Sequence, residues 1–382
     1  MRFLHLADLH LGKRVNGFDM LEDQRYILEQ IIDLCASRGV QAVVAAGDIY
    51  DVPQPPASAV LLLDWFLTEL ARRDIRVLAI SGNHDSAERL DYAGQLLARQ
   101  GVYLAGRYAG HLDPVVLTDD HGPVEFYLLP FVRAATVRHH LPDAPIRCYD
   151  DAVAAALNGI PAGDGVRRVL AAHQFVTASS RPPEVAGSES CALEVGTVEQ
   201  VDAARFVGFC YTALGHIHRP QTVGSPTVRY AGSPLCYSLD ECGAQKSVPL
   251  VTIDGAGHTE VELLELHPRR AMRHLEGPLE KLTAPDAVCD AEDYIWATLT
   301  DDTPIPDAMA RLRAAYPNAM KLDYKPKNGV PDDAALTAAE VRRRSFDELF
   351  ADFFVTVQGR DPTPAEAAAL AELREEVFPC GR

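Results

Sequence analysis

The sequence predicts an α/β fold in which strands and helices alternate, followed by a small α/β accessory domain and C-terminal helices. Two observations carry this prediction. Short apolar runs alternate with segments of helical spacing from residue 3 to residue 99, and several of these runs stop at residue types that ligate metals. In sheets covered by helices, ligands bind in the crevice outside the carboxyl ends of the strands, so such strand ends can converge on one site.

The first elements follow one another as strand and helix. An apolar run at residues 42–47, for example, precedes a proline-rich loop at 53–56 and then a helical segment with Leu63, Leu67 and Leu70. This repetition predicts parallel pairing of the strands. The predicted elements of this part are strands at 3–7, 42–47 and 77–80, and helices at 21–37, 57–72 and 87–99.

The pattern changes after residue 100. Residues 119–122 (Asp-Asp-His-Gly) separate two apolar runs and predict a hairpin. Residues 177–190 are rich in Ser, Pro, Gly and Glu, which predicts a long loop that serves as a mobile lid or a substrate wall. We expect the last three strands to form a second sheet that closes the domain near residue 265. The predicted elements here are strands at 115–117, 124–129, 169–172, 211–215, 228–230, 248–253 and 261–264, and a helix at 150–157.

A chain of 382 residues is long enough for about two or three domains. We expect a first domain over 1–265, a small accessory or capping domain over 266–335, and a helical segment over 336–382. The last segment carries an amphipathic helix rich in phenylalanine. We favour docking of a partner by this helix over the alternative that it is the core of its own domain. Its phenylalanines are Phe346, Phe350, Phe353 and Phe354.

The composition excludes several classes of protein. No apolar segment reaches the length of a membrane span, and the first residues show no leader pattern, so we expect a cytoplasmic protein without membrane contact. The eight cysteines form no C-x-x-C pair, which predicts reduced thiols rather than a disulfide framework or a structural zinc site.

The net charge is −18. It argues against a protein that wraps nucleic acid with a broad basic surface, because non-specific affinity comes mainly from neutralised phosphates. It does not exclude a phosphodiester substrate, since two bound divalent ions place positive charge where the phosphate lies. Two arginine clusters, at residues 269–273 and 342–344, are either DNA-facing or simply solvated.

The residues at the strand ends form a set that suits divalent metals. Asp8 and His10 lie two apart on an extended segment, so both side chains leave the same face, and His216 and His218 have the same spacing. Carboxylates, imidazoles and one amide suit Mn²⁺, Fe²⁺ or Zn²⁺, and they are too many for one ion with an open position. They suit two ions about 3.5 to 4 Å apart that share one carboxylate. The candidate ligands are Asp8, His10, Asp48, Asn83, His173, His216 and His218.

These residues occur in five short motifs, D-x-H, G-D-x-x-D, G-N-H-D, a lone H and G-H-x-H, which together span residues 8–218. In this order they resemble the motifs of the calcineurin-like metallophosphoesterase superfamily. Within it the chain most resembles the SbcD family, through the opening segment 4–13, the strand and turn at 230–235 and the segment 345–350. The resemblance implies a metallophosphoesterase-type β-sandwich flanked by helices.

The resemblance also implies the role of each site residue. One Mn²⁺ ion would be held by Asp8, His10, Asp48 and His218, and the other by Asp48, Asn83, His173 and His216, with Asp48 bridging. His84 would be the imidazole over the substrate that stabilises or protonates the departing oxygen, and Asp51 the carboxylate that orients it. Asp51 could instead cap the turn before Pro53.

The function that the resemblance implies is a Mn²⁺-dependent DNA nuclease with exonuclease and endonuclease modes. It would act as a homodimer with an SbcC-like, SMC-type ATPase on DNA ends and hairpins, in repair and recombination, and the C-terminal helices would contact the ATPase coiled coil. One alternative is a phosphatase or phosphodiesterase of the same superfamily that acts on small molecules, which would not need a second domain. Another is a non-enzymatic scaffold, against which the complete ligand set argues.

Overall fold

The computed structural model describes residues 1–161, 165–178, 183–185 and 200–325, together with positions 354, 360, 361, 363 and 366. The helices predicted over 336–382, the arginines at 342–344 and most of the loop at 177–190 therefore lie outside the described residues. Within the described ranges, no helix is long and apolar enough to cross a membrane.

Most of the described chain is folded into strands joined by helices or short loops. The strands are β1 (Arg2–Leu6), β2 (Arg14–Val15), β3 (Phe18–Asp19), β4 (Ala42–Ala46), β5 (Arg76–Ile80), β6 (Val102–Ala105), β7 (Val115–Asp119), β8 (Gly122–Leu129), β9 (Arg167–His173), β10 (Val176–Thr177), β11 (Val201–Asp202), β12 (Tyr211–Gly215), β13 (Gln221–Val223), β14 (Ser225–Tyr230), β15 (Ser247–Ile253), β16 (Thr259–Glu265), β17 (Met272–Gly277), β18 (Tyr294–Leu299) and β19 (Ala319–Tyr324). The helices are α1 (Leu21–Ser37), α2 (Ala57–Ala71), α3 (Ala87–Leu90), α4 (Gly94–Ala98), α5 (Ala134–His140), α6 (Tyr149–Leu157), α7 (Leu279–Leu282) and α8 (Ala308–Ala315), and short 3-10 turns lie at Ala203–Phe206 and Leu239–Glu241.

Two sheets of six strands form the centre of the fold. The first has the order β16-β15-β1-β4-β5-β6, and the second has the order β13-β14-β12-β9-β8-β7. Strands β1, β4, β5 and β6 are parallel to one another, as are β8, β9, β12 and β14. The parallel pairing predicted from the alternation of strand and helix is therefore confirmed for the first sheet.

The two sheets pack face to face, and side chains alternate between the inside and the outside of this sandwich. In β1, Phe3 lies between the sheets with its ring centroid 5.6 Å from that of Phe126, whereas Leu4 packs outward in the cluster that contains α1 and α2. In β9, Val169 lies between the sheets and Leu170 packs outward in the cluster that contains α5 and α6. Each such buried side chain contributes about 1.5–3 kcal/mol. The result is a helix–sheet–sheet–helix arrangement, which confirms the predicted α/β sandwich.

The prediction was wrong about the place of two strands and the length of one helix. β15 and β16 extend the first sheet instead of the second: β15 pairs antiparallel with β1, with Leu250 opposite Leu4. Apolar alternation identifies a strand but not its partner, because pairing depends on residues far away in the chain. The helix predicted over 87–99 is divided into α3 and α4, between which Ala93 has a φ of +58°.

A second unit follows the sandwich. Its three parallel strands β17, β18 and β19, called the accessory sheet below, are covered on one face by α7 and α8 through a core that includes Ile295, Ala297 and Leu312. Met272 and Tyr294 instead join the core cluster around α1. The sequence of this part predicts a strand at 295–299, a helix at about 307–315 and a further short strand at 319–322, and β18, α8 and β19 confirm them. The domain boundaries at 265 and 335 stay predictions.

Candidate metal centre

Strand ends from both sheets meet at one edge of the sandwich. In the first sheet Asp8 follows β1, Asp48 follows β4 and Asn83 follows β5. In the second sheet His173 ends β9 and is paired with Gly215, the last residue of β12. Parallel strands place their carboxyl ends at the same edge, which brings together residues that are far apart in the sequence.

The backbone at these strand ends is strained. Asp8, His10, Asp48 and His216 have φ values of +54°, +43°, +49° and +100°, a region that residues other than glycine rarely occupy and that costs about 1–3 kcal/mol per residue. Main-chain hydrogen bonds hold the loops in place. The N–H of Asp8 donates to the carbonyl oxygen of Gly47 at 3.0 Å, and that of His10 donates to the carbonyl oxygen of Asp48 at 2.9 Å. Strain of this kind clusters at functional sites.

Glycines in the motifs make room for the candidate ligands. A methyl group on Gly82 would lie 2.0 Å from Asp48 Oδ1, and one on Gly47 would lie 2.3 Å from His173 Nδ1. Atoms do not approach so closely, so any larger residue would push the carboxylate or the imidazole out of place. The glycine of each motif is therefore part of the site, although it offers no ligand atom.

The first group of candidate ligands contains Asp8, His10 and His218, whose nitrogen and oxygen atoms lie within 4.8 Å of one another. His10 Nε2 and His218 Nε2 are 3.1 Å apart, and His10 Nε2 is 3.7 Å from Asp48 Oδ2. Two ring nitrogens that face each other at this distance share a proton or ligate a common cation.

The second group lies on the other side of Asp48. Asn83 Oδ1 is 3.0 Å from both His173 Nε2 and His216 Nδ1, and His173 Nε2 is 3.3 Å from Asp48 Oδ2. Because the same carboxylate oxygen also faces His10, Asp48 lies between the two groups. The structure thus brings together all the candidate ligands predicted from the strand ends.

The surroundings of the Asp8 carboxylate indicate whether this arrangement suits a cation. Its Oδ1 accepts the main-chain N–H of His216 at 2.9 Å, whereas its Oδ2 is buried and has no hydrogen-bond partner among the described residues. Burial raises the pKa of Asp8, because the carboxylate is withdrawn from water. A buried carboxylate oxygen without a partner is costly unless a cation pairs with it, so the donor set fits a divalent metal.

Neighbouring charges decide the ionisation of the buried groups. Burial disfavours the Asp48 carboxylate, but His173 and His10 outweigh this effect and lower its pKa. Burial also disfavours the charged form of His173, yet Asp48 raises its pKa to about 9. Burial and the charge of His173 lower the pKa of His216 to about 3. Asp48 is therefore a carboxylate and His216 a neutral imidazole, which are the forms that bind metals.

A hydrogen bond orients the His173 imidazole, and an ion-pair contact lies beside that of His10. His173 Nδ1 donates to the carbonyl oxygen of Ala46 at 2.8 Å, and His10 Nδ1 lies 3.3 Å from Asp51 Oδ1. His173 Nε2 faces Asn83 Oδ1 and Asp48 Oδ2, and the pKa of about 9 means that this nitrogen carries a proton, which a bound cation would displace.

His84 lies beside the two groups and is half-buried. Its main-chain N–H donates to Asp48 Oδ1 at 2.9 Å, and its Nδ1 donates to the main-chain carbonyl oxygen of Asp51, also at 2.9 Å. The Asp51 carboxylate, which was predicted to orient His84, instead contacts His10 and Lys13, with Lys13 Nζ at 2.7 Å. The two residues are therefore in contact, but through the main chain of Asp51, because sequence spacing does not distinguish a main-chain contact from a side-chain one.

Asp85 joins two of the loops. Its carboxylate accepts the main-chain N–H groups of Ile49 at 3.0 Å, Tyr50 at 2.8 Å and Gly82 at 2.8 Å. Burial, together with the nearby charge of Asp48, raises its pKa to about 6 despite these three bonds. The residue next to His84 in the G-N-H-D motif therefore ties the loop after β4 to the loop after β5.

Two buried polar residues near the site belong to none of the motifs and were not predicted as site residues. Glu241 Oε1 lies 3.9 Å from His218 Nδ1, and its other oxygen pairs with the buried Lys246. Gln24 of α1 donates from Nε2 to the carbonyl oxygen of His10 at 2.8 Å. Neither residue belongs to a motif. The only available signal was a polar residue on an otherwise apolar helix face, in the case of Gln24.

The arginines near residue 270 have partners within the chain. Arg270 Nη2 is 2.9 Å from Asp23 Oδ2 and 3.1 Å from Glu22 Oε2, and Arg269 Nη1 is 3.4 Å from Glu22 Oε2. Arg273 Nη2 donates to a main-chain carbonyl oxygen at 2.6 Å. These contacts favour a structural role for this cluster over a DNA-facing one.

Known proteins resemble the chain over most of its length. A family model described as calcineurin-like phosphoesterase matches residues 1–220, and one described as type 5 capsule protein repressor C-terminal domain matches residues 268–358. A relative from Staphylococcus epidermidis, named as the D subunit of the nuclease SbcCD, is 31% identical over 330 residues, which cover 84% of this chain and 85% of the relative.

Solved structures overlap with the chain more weakly. The protein TT1561 of Thermus thermophilus is 10% identical with a TM-score of 0.38, and the match covers 69% of this chain and 98% of that one. A dimetal phosphatase from Danio rerio is 14% identical with a TM-score of 0.35, covering 70% and 99%. Overlaps at this level carry no argument about the site.

The sequence matches carry the assignment. The phosphoesterase model spans the segment that contains every candidate ligand, and the relative is similar over both the sandwich and the accessory sheet. The chain belongs to the SbcD family of calcineurin-like phosphoesterases.

Proposed function

We propose that the protein is a DNA nuclease subunit, an exonuclease and endonuclease that hydrolyses phosphodiester bonds with two divalent ions, preferably Mn²⁺. The observation that carries the proposal is the approach of two donor groups to the shared carboxylate of Asp48. The relationship to a protein named as a nuclease subunit supports the choice of DNA as substrate.

The ions are assigned to the two donor groups described above. One would be held by Asp8, His10, Asp48 and His218, and the other by Asp48, Asn83, His173 and His216. When bound, two divalent ions supply an activated water and neutralise charge on the phosphoryl oxygens. Imidazole, carboxylate and amide donors without cysteine suit Mn²⁺ better than a softer metal.

His84 is proposed to act on the leaving group. Its Nδ1–H is bound to the carbonyl oxygen of Asp51, and the ring stands edge-on to that of His10 with centroids 4.8 Å apart. These contacts leave Nε2 as the nitrogen that faces a substrate. In the protonated form of the ring, Nε2–H donates to the departing oxygen of the phosphodiester.

Metal analysis and a cleavage assay test the proposal together. The purified protein, loaded with Mn²⁺ and analysed by mass spectrometry for metal, is expected to hold two ions and to cleave single-stranded and hairpin DNA. His84→Ala should keep the metal and lose about 10²- to 10⁴-fold in cleavage rate. His139→Ala, which changes an exposed histidine outside the site, should match the wild type.

Three results would contradict the proposal. They are a wild-type protein that holds no metal, cleavage of DNA that does not depend on His84, and strong hydrolysis of small phosphoesters without any cleavage of DNA. The last result would favour the small-molecule phosphodiesterase.

We propose further that the protein works in the cytoplasm as a homodimer with an SbcC-like, SMC-type ATPase, which the C-terminal segment 336–382 contacts. The match of a family model to residues 268–358 supports a shared role for the accessory sheet and the segment that follows it. Co-elution of the two purified proteins, with masses from light scattering, tests the partner and the dimer. Co-elution that persists after deletion of residues 336–382 would contradict the proposed contact.

A further inference from the structure

Two adjacent residues of α1, Asp23 and Gln24, are almost completely buried, at 0% and 2% exposure. Neither contacts a candidate ligand atom. Buried polar side chains are costly unless they are hydrogen-bonded, so each of them must be held by a specific set of partners. The partners of the two residues belong to different segments of the chain.

Gln24 holds the loop that carries His10. Its Oε1 accepts the main-chain N–H of Gly12 at 3.0 Å, and its Nε2 donates to the carbonyl oxygen of His10 at 2.8 Å and to the Tyr237 hydroxyl at 3.0 Å. The carbonyl oxygen of Leu9 lies at 3.3 Å from the same nitrogen. One amide therefore binds the loop both before and after its turn.

The loop depends on such support. His10 has a φ of +43°, a conformation that costs about 1–3 kcal/mol unless the surroundings enforce it. The Tyr237 hydroxyl, itself bound by Gln24, donates to the carbonyl oxygen of Leu9 at 2.6 Å, and its ring meets the His10 imidazole edge-on with centroids 5.6 Å apart. The direction of the His10 ring follows from these contacts.

Asp23 holds the accessory sheet. Arg270 donates to it through Nε at 3.1 Å and lies 2.9 Å away through Nη2, and the hydroxyl of Tyr294 donates to Oδ2 at 2.7 Å. Tyr294 is the first residue of β18, and its ring packs against that of Phe18 with centroids 5.9 Å apart. Asp23 is thus a main attachment point of the accessory sheet to α1.

We infer that Asp23 and Gln24 couple the docking of the accessory sheet to the position of His10. Gln24 is a positioning residue for the metal centre. Asp23 is one residue away on the same helix turn, so a displacement of Arg270 and Tyr294 moves Asp23 and, with it, Gln24. The inference rests on the proposed function, since it takes His10 as a ligand of the ion shared with Asp8 and His218. The imidazoles assigned to the other ion, His173 and His216, have no hydrogen bond to α1 among the described contacts, so α1 reaches that ion only indirectly, through the shared Asp48.

Titration of the metal-free full chain with Mn²⁺, followed by electron paramagnetic resonance of the free ion, tests the coupling. Gln24→Leu is expected to weaken the binding of one of the two ions by about 10- to 100-fold and that of the other, which shares Asp48, by a clearly smaller factor. Tyr294→Phe keeps the ring and removes only the hydroxyl bound to Asp23. It should lower the affinity for the same ion by a smaller factor. Gln30→Leu is the matched control, because Gln30 lies on the same helix and bonds to the main chain of His267, but not to the loop of His10.

The outcomes separate this inference from the proposed function. A wild-type protein that binds no Mn²⁺ would overturn both. If the wild type binds two ions, two results would overturn the coupling alone. In one, Gln24→Leu and Tyr294→Phe retain both Mn²⁺ affinities, and in the other they lose both affinities equally. Thermal unfolding in chelator identifies any variant that does not fold, and Tyr294→Phe provides a mild change if Gln24→Leu fails to fold.

Discussion

Asp48 is contacted from every side of the metal centre: Oδ2 faces His10 and His173, and Oδ1 accepts the main-chain N–H of His84. The identity of these residues could be predicted from the sequence, because ligand types recur at strand ends. Their geometry could not. The left-handed backbone of Asp48 and the space that Gly82 leaves for its carboxylate depend on contacts between separate loops, which no local pattern reports.

His5 gives the protein a stability that depends on pH. It is fully buried between the sheets, with Nδ1 at 3.0 Å from the Tyr211 hydroxyl, and burial lowers its pKa to about 3. In the unfolded chain the pKa is about 6.5, so protons bind the unfolded state more readily. The contribution of His5 to the free energy of unfolding should therefore be fully present above about pH 6.5. It should be lost toward pH 3, by up to about 1.4 kcal/mol for each pH unit.

Urea denaturation of the metal-free protein between pH 7 and pH 4, in the presence of chelator, measures this effect. His5→Gln should reduce the slope of the unfolding free energy against pH by about one proton. His139→Gln, at an exposed site, should keep the wild-type slope. Equal slopes for the wild type and His5→Gln would show that His5 does not titrate on unfolding.

At the level of elements, the strands form the two sheets, and the residues at and just after their ends form the candidate metal centre. Local patterns predicted most strands of the two large sheets, the hairpin of β7 and β8, and α1, α2, α6 and α8, but not the strands β2, β3, β6, β10, β11, β13 and β17. It did not show that β15 and β16 belong to the first sheet, because that pairing joins the two ends of the sandwich sequence. The turn at Leu239–Glu241 was missed for the same reason, since it matters only through a distant strand end.

This turn supplies a buried ion pair that should contribute to both stability and metal binding. Glu241 pairs with Lys246, whose Nζ also donates to the carbonyl oxygen of His218 at 3.2 Å. Glu241→Ala leaves a buried ammonium group without its counter-ion, which should cost about 3–5 kcal/mol of unfolding free energy. It also removes the carboxylate beside His218, so Mn²⁺ affinity should fall by about 10- to 100-fold.

Urea denaturation and Mn²⁺ titration check the two effects independently. Glu262→Ala is a suitable control, because Glu262 and its partner Arg38 are exposed and the change should stay within about 0.5 kcal/mol. A loss below about 1 kcal/mol for Glu241→Ala would mean that the pair contributes little.

The molecule as a whole is acidic, with a net charge of −18, yet its proposed substrate is a polyanion. Arg269 and Arg270 pair with acidic residues of α1 and Arg273 pairs with Asp293, so these three arginines do not form a free basic surface. If the proposed ATPase partner and homodimer form, most of the affinity for DNA is therefore expected to come from them.

The isolated protein should bind duplex DNA weakly and with little dependence on salt, because few phosphates are neutralised. Fluorescence anisotropy of a labelled duplex between about 50 and 200 mM salt measures this, with the reconstituted complex as the comparison. Tight binding by the isolated protein, with a steep loss at high salt, would disprove the expectation.

The donors of the metal centre lie at or just after the ends of five different strands, and the last of them, His216 and His218, follow β12. A chain that is still being synthesised on the ribosome cannot assemble this centre until both sheets have closed around it. Truncated products that end before β12 also lack part of the donor set. The order of the motifs along the chain thus delays assembly of the full donor set until at least the first 218 residues have been made.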